Sequence, residues 1–221
     1  MVNREGGFAE KVVANASAVL PLPSSLDLKV AGPLLCAGIT VFNPLIQFDI
    51  KPTDKVAVIG IGGLGHLALQ FMTAWGCKVT AFTSSESKKQ EALAFGATET
   101  INSRDPEEIA KAANQFDYII STVNAKLDWN LYLSALKPKG RLHFVGVTAA
   151  PLDVSVIPMI FGQKSISASP VGSPANISKM LEFAARHEIK PDIELYKFDD
   201  INEAIERVRS GKARYRVVLE H

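Results

Sequence analysis

The sequence predicts an α/β protein built on a doubly wound, six-stranded parallel sheet, and three observations lead there. Between residues 55 and 169, six short apolar runs alternate with helical stretches, the pattern of a parallel sheet covered by helices on both faces. The first run passes directly into GIGGLG, residues 60–65, and then into an amphipathic helix, the unit that opens a dinucleotide crevice. Helix starts are also punctuated. Asp105-Pro106-Glu107-Glu108 offers an N-cap, a first-turn proline and a capping-box acid, Ser173-Pro174 opens another helix, and Asp200 with Glu203 repeats the box.

Taken in order, a strand-like run at 8–14 comes first and stands outside the alternation. The sheet runs follow at 55–59, 78–83, 98–101, 116–121, 141–146 and 165–169, with two later runs at 193–198 and 215–219. The helix behind the glycines sets Leu64, Leu67, Ala68, Phe71, Met72 and Trp75 on one face. Residues 1–30 and 172–221 read as pieces of another lobe, one entering and one leaving, around a nucleotide-binding domain at 31–171. Residues 219–221 fit the start of an affinity tag and are assigned no role.

Composition narrows the partners. A chain of 221 residues, 47% hydrophobic, can bury a real core. The net charge of +1, with no basic cluster, argues against nucleic acid or an anionic membrane surface. Every apolar stretch is broken by Gly, Pro or charge before reaching bilayer length, and no signal peptide is visible. Two cysteines, Cys36 and Cys77, make no disulfide framework and fit a reducing, cytoplasmic setting.

The glycine run has a physical role at each step. Gly60 permits the tight exit from the strand, Gly62 lets backbone approach a pyrophosphate, and Gly65 lets the helix pack closely on the sheet. Gly63 and Leu64 complete the loop, and its phosphates would sit at the helix N-terminus, where N–H groups and dipole favour negative charge. An NAD site usually carries Asp or Glu about 20 residues further on, to bind the ribose 2′-OH. Here that place holds Thr83, Ser84 and Ser85, with Lys88 just beyond, a set suited to the 2′-phosphate of NADP. Ser84 and Ser85 also suit a helix cap before Glu86.

The segments GPLLCAGITVF (32–42), GIGGLGH (60–66), FTSSESKK (82–89), FDYIISTV (116–123), GRLHFVGV (140–147), SISASPVGS (165–173) and RYRVV (214–218) together resemble zinc-dependent medium-chain alcohol dehydrogenases, and most of all their cinnamyl-alcohol-dehydrogenase branch. The resemblance implies a Rossmann domain, NADP, a catalytic zinc and interconversion of a small primary alcohol and its aldehyde. It also implies that most of the N-terminal GroES-like lobe is missing, since the chain opens at GGFAEKVVAN (6–15), which is similar only to the lobe's last part. A chain without that lobe is expected to bind cofactor but to be inactive alone.

Residue by residue, the resemblance makes Cys36 one of three zinc ligands; read without it, Cys36 is a small buried side chain. It places Thr40 beside the nicotinamide, lines the cleft with Thr122, Val123, Val145, Gly146 and Val147, and sets Ser169, Pro170 and Val171 beside the carboxamide. It implies a homodimer joined edge to edge through the strand from Ser165 to Ser169, which has no proline or charge inside to discourage pairing. His66 either touches a phosphate or simply begins a helix, His143 faces the sheet's other side, Arg214 and Arg216 are read as solvated, and Cys77 as structural. Two rivals remain: a zinc-free quinone or enone reductase, and a stand-alone NADP-binding module without enzymatic activity.

Overall fold

The computed structural model describes residues 7–9 and 11–220. Residues 1–6 and Glu10 of the expected entering segment, and His221 of the tag-like tail, lie outside the described residues.

All six expected sheet strands are present: β1 (Lys55–Ile59), β2 (Lys78–Thr83), β3 (Glu99–Asn102), β4 (Phe116–Ser121), β5 (Leu136–Phe144) and β6 (Ser165–Ala168). They pair in the order β3-β2-β1-β4-β5-β6, every neighbour parallel. The chain enters at the centre, winds out to β3, then crosses back to build β4, β5 and β6 on the other side. Open α/β sheets bind ligands at such a reversal, beyond the carboxyl ends of the strands. The register brings those ends into line, with Ile59 opposite Phe82 and Ser121, and Ser121 opposite Phe144.

The helices are α1 (Leu28–Pro33), α2 (Ile39–Gln47), α3 (Gly65–Trp75), α4 (Glu86–Ala94), α5 (Pro106–Ala110), α6 (Trp129–Ala135), α7 (Val156–Gly162), α8 (Pro174–Arg186) and α9 (Ile201–Arg209). A π turn, Leu34–Gly38, joins α1 to α2, and β7 (Ile193–Lys197) pairs with β8 (Arg216–Glu220) as a separate parallel ribbon. On one face of the main sheet Phe42, Phe71, Met72, Met180 and Leu181 pack against Val56, Val58 and Tyr118. On the other, Trp129, Tyr132 and Leu133 of α6 meet Ile59, Phe82 and Phe144. Each large apolar side chain so buried contributes about 1.5–3 kcal/mol, so packing, more than helix propensity, holds these short elements in place. The predicted face of α3 is the buried one, and the helix stops at Gly76, whose φ of 105° is left-handed.

Several expectations are corrected. The described residues of the run 8–14 form no strand; Phe8, Val12 and Val13 are exposed, with no strand beside them to take up their backbone groups. β5 starts at Leu136, not 141, because Leu136 pairs with Phe116 across a bulge before regular pairing resumes. It ends at Phe144 because the Val145 and Gly146 amides both donate to the Ser121 carbonyl, at 3.0 Å each. Asp105 caps α5 as expected, but Glu108 accepts from the Asn102 amide, 2.9 Å, instead of closing a box. Asp200 ends a 3-10 turn and its side chain caps nothing. Leu28–Gln47 is also long and apolar enough, by length and composition, to cross a bilayer, although 72% of it is buried inside the protein as a core helix.

Candidate functional site

A cleft of about 760 Å³ opens at the carboxyl ends of β1, β2 and β4, where the winding reverses. Its floor is the glycine run. Gly60 adopts φ +85°, which L side chains avoid, and a Cβ there would collide with Val123. A Cβ on Gly65 would run into the Gly60 carbonyl, so only glycine lets α3 start this close to the strand end. Gly62 faces open space, whereas Gly63 is backed by the Arg216 side chain. No side chain caps α3; the His66 amide of its first turn is bonded to the Gly62 carbonyl at 3.1 Å, and Gly62, Gly63 and Leu64 line the cleft in front of it.

Thr83, Ser84 and Lys88 line the adjoining wall, Thr122, Val123, Val145, Gly146 and Val147 the opposite one. Thr83 belongs to this wall, and its hydroxyl is buried and has no partner in the protein. Lys88 Nζ donates to the Ile61 carbonyl at 2.9 Å, clamping α4 to the glycine loop. Partial burial lowers its pKa, the nearby Arg214 adds to that, and Glu91 opposes it. Thr122 Oγ1 lies 3.0 Å from the Ile59 carbonyl and 2.9 Å from that of Gly60, fastening β4 to the loop.

Other expected residues stand elsewhere. Ser85 turns its hydroxyl to Ser87, 2.8 Å away, and makes no side-chain cap. Ser169 Oγ is bonded to His143 Nε2 at 2.9 Å, and Val171 is exposed outside this cleft. Thr40 Oγ1 donates to the Cys36 carbonyl, 2.7 Å, reaching back from α2 to the π turn. Cys36 is exposed on the π turn, which corrects the reading of a small buried side chain; π turns recur at functional positions. Among the described residues no three His, Cys, Asp or Glu side chains gather, so those residues alone do not fit a catalytic zinc site. Cys77 is buried, donates to the Lys51 carbonyl at 3.3 Å, and has its thiol pKa pushed up to about 12 mainly by burial.

His66 does not reach the cleft. It is wholly buried and stacked on Tyr215, with Nδ1 2.8 Å from the Gly62 carbonyl and Nε2 accepting from the Asp192 amide at 3.3 Å. That pair of bonds places its proton on Nδ1. Burial, aided by Arg216 and opposed by the Gly62 bond, lowers its pKa to about 4. Arg216 therefore belongs to the loop's surroundings and is not a solvated side chain. Sequence reasoning also missed Ser103, Arg104, Asn124, Ala125 and Leu127, which line the cleft just past β3 and β4. The strand ends flanking the reversal were the signal that could have located them.

Orphan hydroxyl, uncapped helix and open glycine backbone together fit a dinucleotide phosphate. Residues 63–186 match the family model for zinc-binding dehydrogenases. This chain belongs to the zinc-binding dehydrogenase family. It is 60% identical over 221 residues to the aldehyde reductase AdhA of Synechocystis, covering 100% of this chain and 66% of that protein. A cinnamyl alcohol dehydrogenase structure from Sorghum bicolor superposes with a TM-score of 0.87 at 40% identity, over 92% of this chain and 58% of that one. A Helicobacter pylori homologue complexed with NADP(H) superposes at 0.76 with 34% identity, over 87% and 55% of the two chains. The chain thus spans less than two thirds of these relatives' lengths, and the zinc-binding dehydrogenase fold is the part it shares with them.

Proposed function

We propose that this chain is the NADP(H)-binding part of a zinc-type alcohol dehydrogenase that interconverts a small primary alcohol and its aldehyde. The observation that carries the reading is the wall past β2, where Thr83, Ser84 and Lys88 stand in the cleft and, among the described residues, no carboxylate does. A carboxylate there would repel a 2′-phosphate, whereas hydroxyls and an ammonium bind one through charge-assisted bonds. The loop amides at the start of α3 hold the pyrophosphate, and Thr122, Val123, Val145, Gly146 and Val147 set the nicotinamide against β4 and β5. Bound nicotinamide supplies or accepts a hydride, and the chain's own share is alignment and exclusion of water. Cys36 is the one zinc ligand this segment offers, and among the described residues no ligand set surrounds it.

The proposal extends to assembly. β6 is an edge of the sheet, and α7 leads into it with Ile157, Ile160 and Phe161 exposed. A homodimer pairing two such edges would cover that surface.

Calorimetric titration with NADPH and NADH, alongside an aldehyde-reduction assay and zinc analysis of the same preparation, tests the reading. Preference for NADPH, background turnover and no stoichiometric zinc are expected. Equal affinity for the two nucleotides would overturn the cofactor assignment. One zinc per chain with turnover abolished by Cys36→Ser would overturn the view that this chain is inactive alone.

A further inference from the structure

Beyond Lys88, one more cation stands at the adenosine end of the cleft. Arg104 lines it beside Ser103, Thr83 and Ser84, yet its side chain is exposed and makes no ion pair among the described residues. Its backbone, by contrast, is held on three sides. The Ser103 amide donates to the Thr83 carbonyl at 3.1 Å, the Arg104 amide to Asn102 Oδ1 at 3.0 Å, and the Asp105 amide to the Asn102 carbonyl at 3.1 Å.

Two carboxylates close by in the chain, those of Asp105 and Glu108, are already engaged with backbone. Asp105 Oδ1 accepts from the Glu107 and Glu108 amides at 2.9 and 3.2 Å, and Glu108 accepts from the Asn102 amide at 2.9 Å. Lys88 has one donor committed to the Ile61 carbonyl, which draws it toward the glycine loop. Arg214 stands 3.5 Å from Glu91. Arg104 is left as the cation whose anchor is fixed and whose guanidinium is uncommitted.

We infer that Arg104 is a specificity-determining residue that grips the 2′-phosphate of NADP(H) from the β3 side, opposite Lys88. The inference rests on the cofactor reading above. A guanidinium offers a planar fork that pairs two phosphate oxygens at once, and a pre-fixed backbone reduces the ordering that binding must impose. Arg104 thereby supplies discrimination between NADP and NAD that the strand-end hydroxyls alone would not.

Titration with adenosine 2′,5′-bisphosphate and with AMP isolates the 2′-phosphate from the nicotinamide end. The unmodified chain should favour the bisphosphate. Arg104→Ala should weaken the bisphosphate and NADPH by about ten- to a hundredfold, the span of a lost charge-assisted bond, while AMP and NADH stay unchanged. Arg104→Gln should behave alike, and an unshifted melting curve for either variant would show that folding is intact. A wild-type chain with no preference for the bisphosphate would defeat the cofactor reading itself. A preference that survives Arg104→Ala would leave that reading standing and overturn the role of Arg104. Equal losses for AMP and the bisphosphate would mean that the guanidinium stacks on adenine, which also overturns it.

Discussion

On the β1–β3 side of the crevice Thr83 carries a buried hydroxyl with no partner, Lys88 has only one donor engaged and Arg104 has no counter-charge among the described residues. On the β4–β6 side His143 satisfies both ring nitrogens with the hydroxyls of Ser167 and Ser169, at 2.9 Å each, and Val123, Val145 and Val147 face the crevice. The Ser121 and Tyr118 hydroxyls also lack partners on that side but are not part of the cleft wall. Within the cleft wall one half keeps the cations of Lys88 and Arg104 without a carboxylate partner among the described residues, while behind the other half His143 joins an edge strand to the sheet. Polar residues at equivalent strand ends can thus have opposite purposes, and hydrogen-bond accounting separates them where residue type does not.

The hardest test of that division is Gly65→Ala. A methyl there meets the Gly60 carbonyl, which is held in place by the Thr122 hydroxyl. We expect a loss of about 3 kcal/mol in folding stability, the upper range of overpacking, together with loss of NADPH binding. An unchanged urea midpoint would show that the loop yields more easily than its contacts indicate.

Acid should find the two buried imidazoles next, one under the glycine loop and one behind the β4–β6 half. His66 and His143 are both held neutral, with pKa values lowered to about 4, chiefly by burial. Their unfolded values lie near 6.5, so the unfolded chain takes up protons first as pH falls. The stability they confer is fully present above about pH 6.5 and is lost as pH drops through about 4, a few kcal/mol in all. Urea midpoints measured from pH 7 to pH 4.5 check this. His143→Gln should flatten the slope and leave NADPH affinity at pH 7 alone; a matching loss of affinity would break the comparison.

Lys88→Ala should weaken NADPH binding by about one to two orders of magnitude, since a charge-assisted contact contributes roughly 1.5–3 kcal/mol. Thr83→Asp should turn the preference toward NADH. Calorimetry checks both, and an unaltered NADPH-to-NADH ratio in Thr83→Asp would remove Thr83 from the phosphate site. The smallest effect is expected at the far edge. Phe161→Glu, on the exposed surface of α7, should loosen the proposed homodimer without touching cofactor affinity. Light scattering that gives a monomer mass for the unmodified chain at micromolar concentration would sink the edge-pairing proposal.

The sheet was readable because its strands are short, apolar and separated by helices, so β1, β2 and β4 have the boundaries their residues predict. β5 was misread because Pro138 and Gly140 look like a turn, and only pairing with β4 reveals a bulge there. The run 8–14 has strand composition, but a strand also requires a neighbour, which composition does not supply. Within the site, the glycines and Lys88 announce themselves by spacing. Arg104 does not, since nothing local to Ser103-Arg104 marks it; β3 pairing beside β2 brings it to the cleft. Ser85 was lost for the opposite reason: Ser84 lines the cleft while its neighbour's hydroxyl turns to Ser87, a choice made by backbone direction.

His66 has a consequence for how the molecule breathes. Its ring, 126 residues from Asp192 in sequence, joins the Gly62 carbonyl to the Asp192 amide, and the Arg216 side chain of β8 packs against Gly63. Neither strip can part from the other without exposing a buried imidazole to unpaired neighbours. In deuterated water the amides around 62–66 and 190–192 should therefore lose protection together, as one opening unit, and cofactor that steadies the first strip should slow exchange in the second.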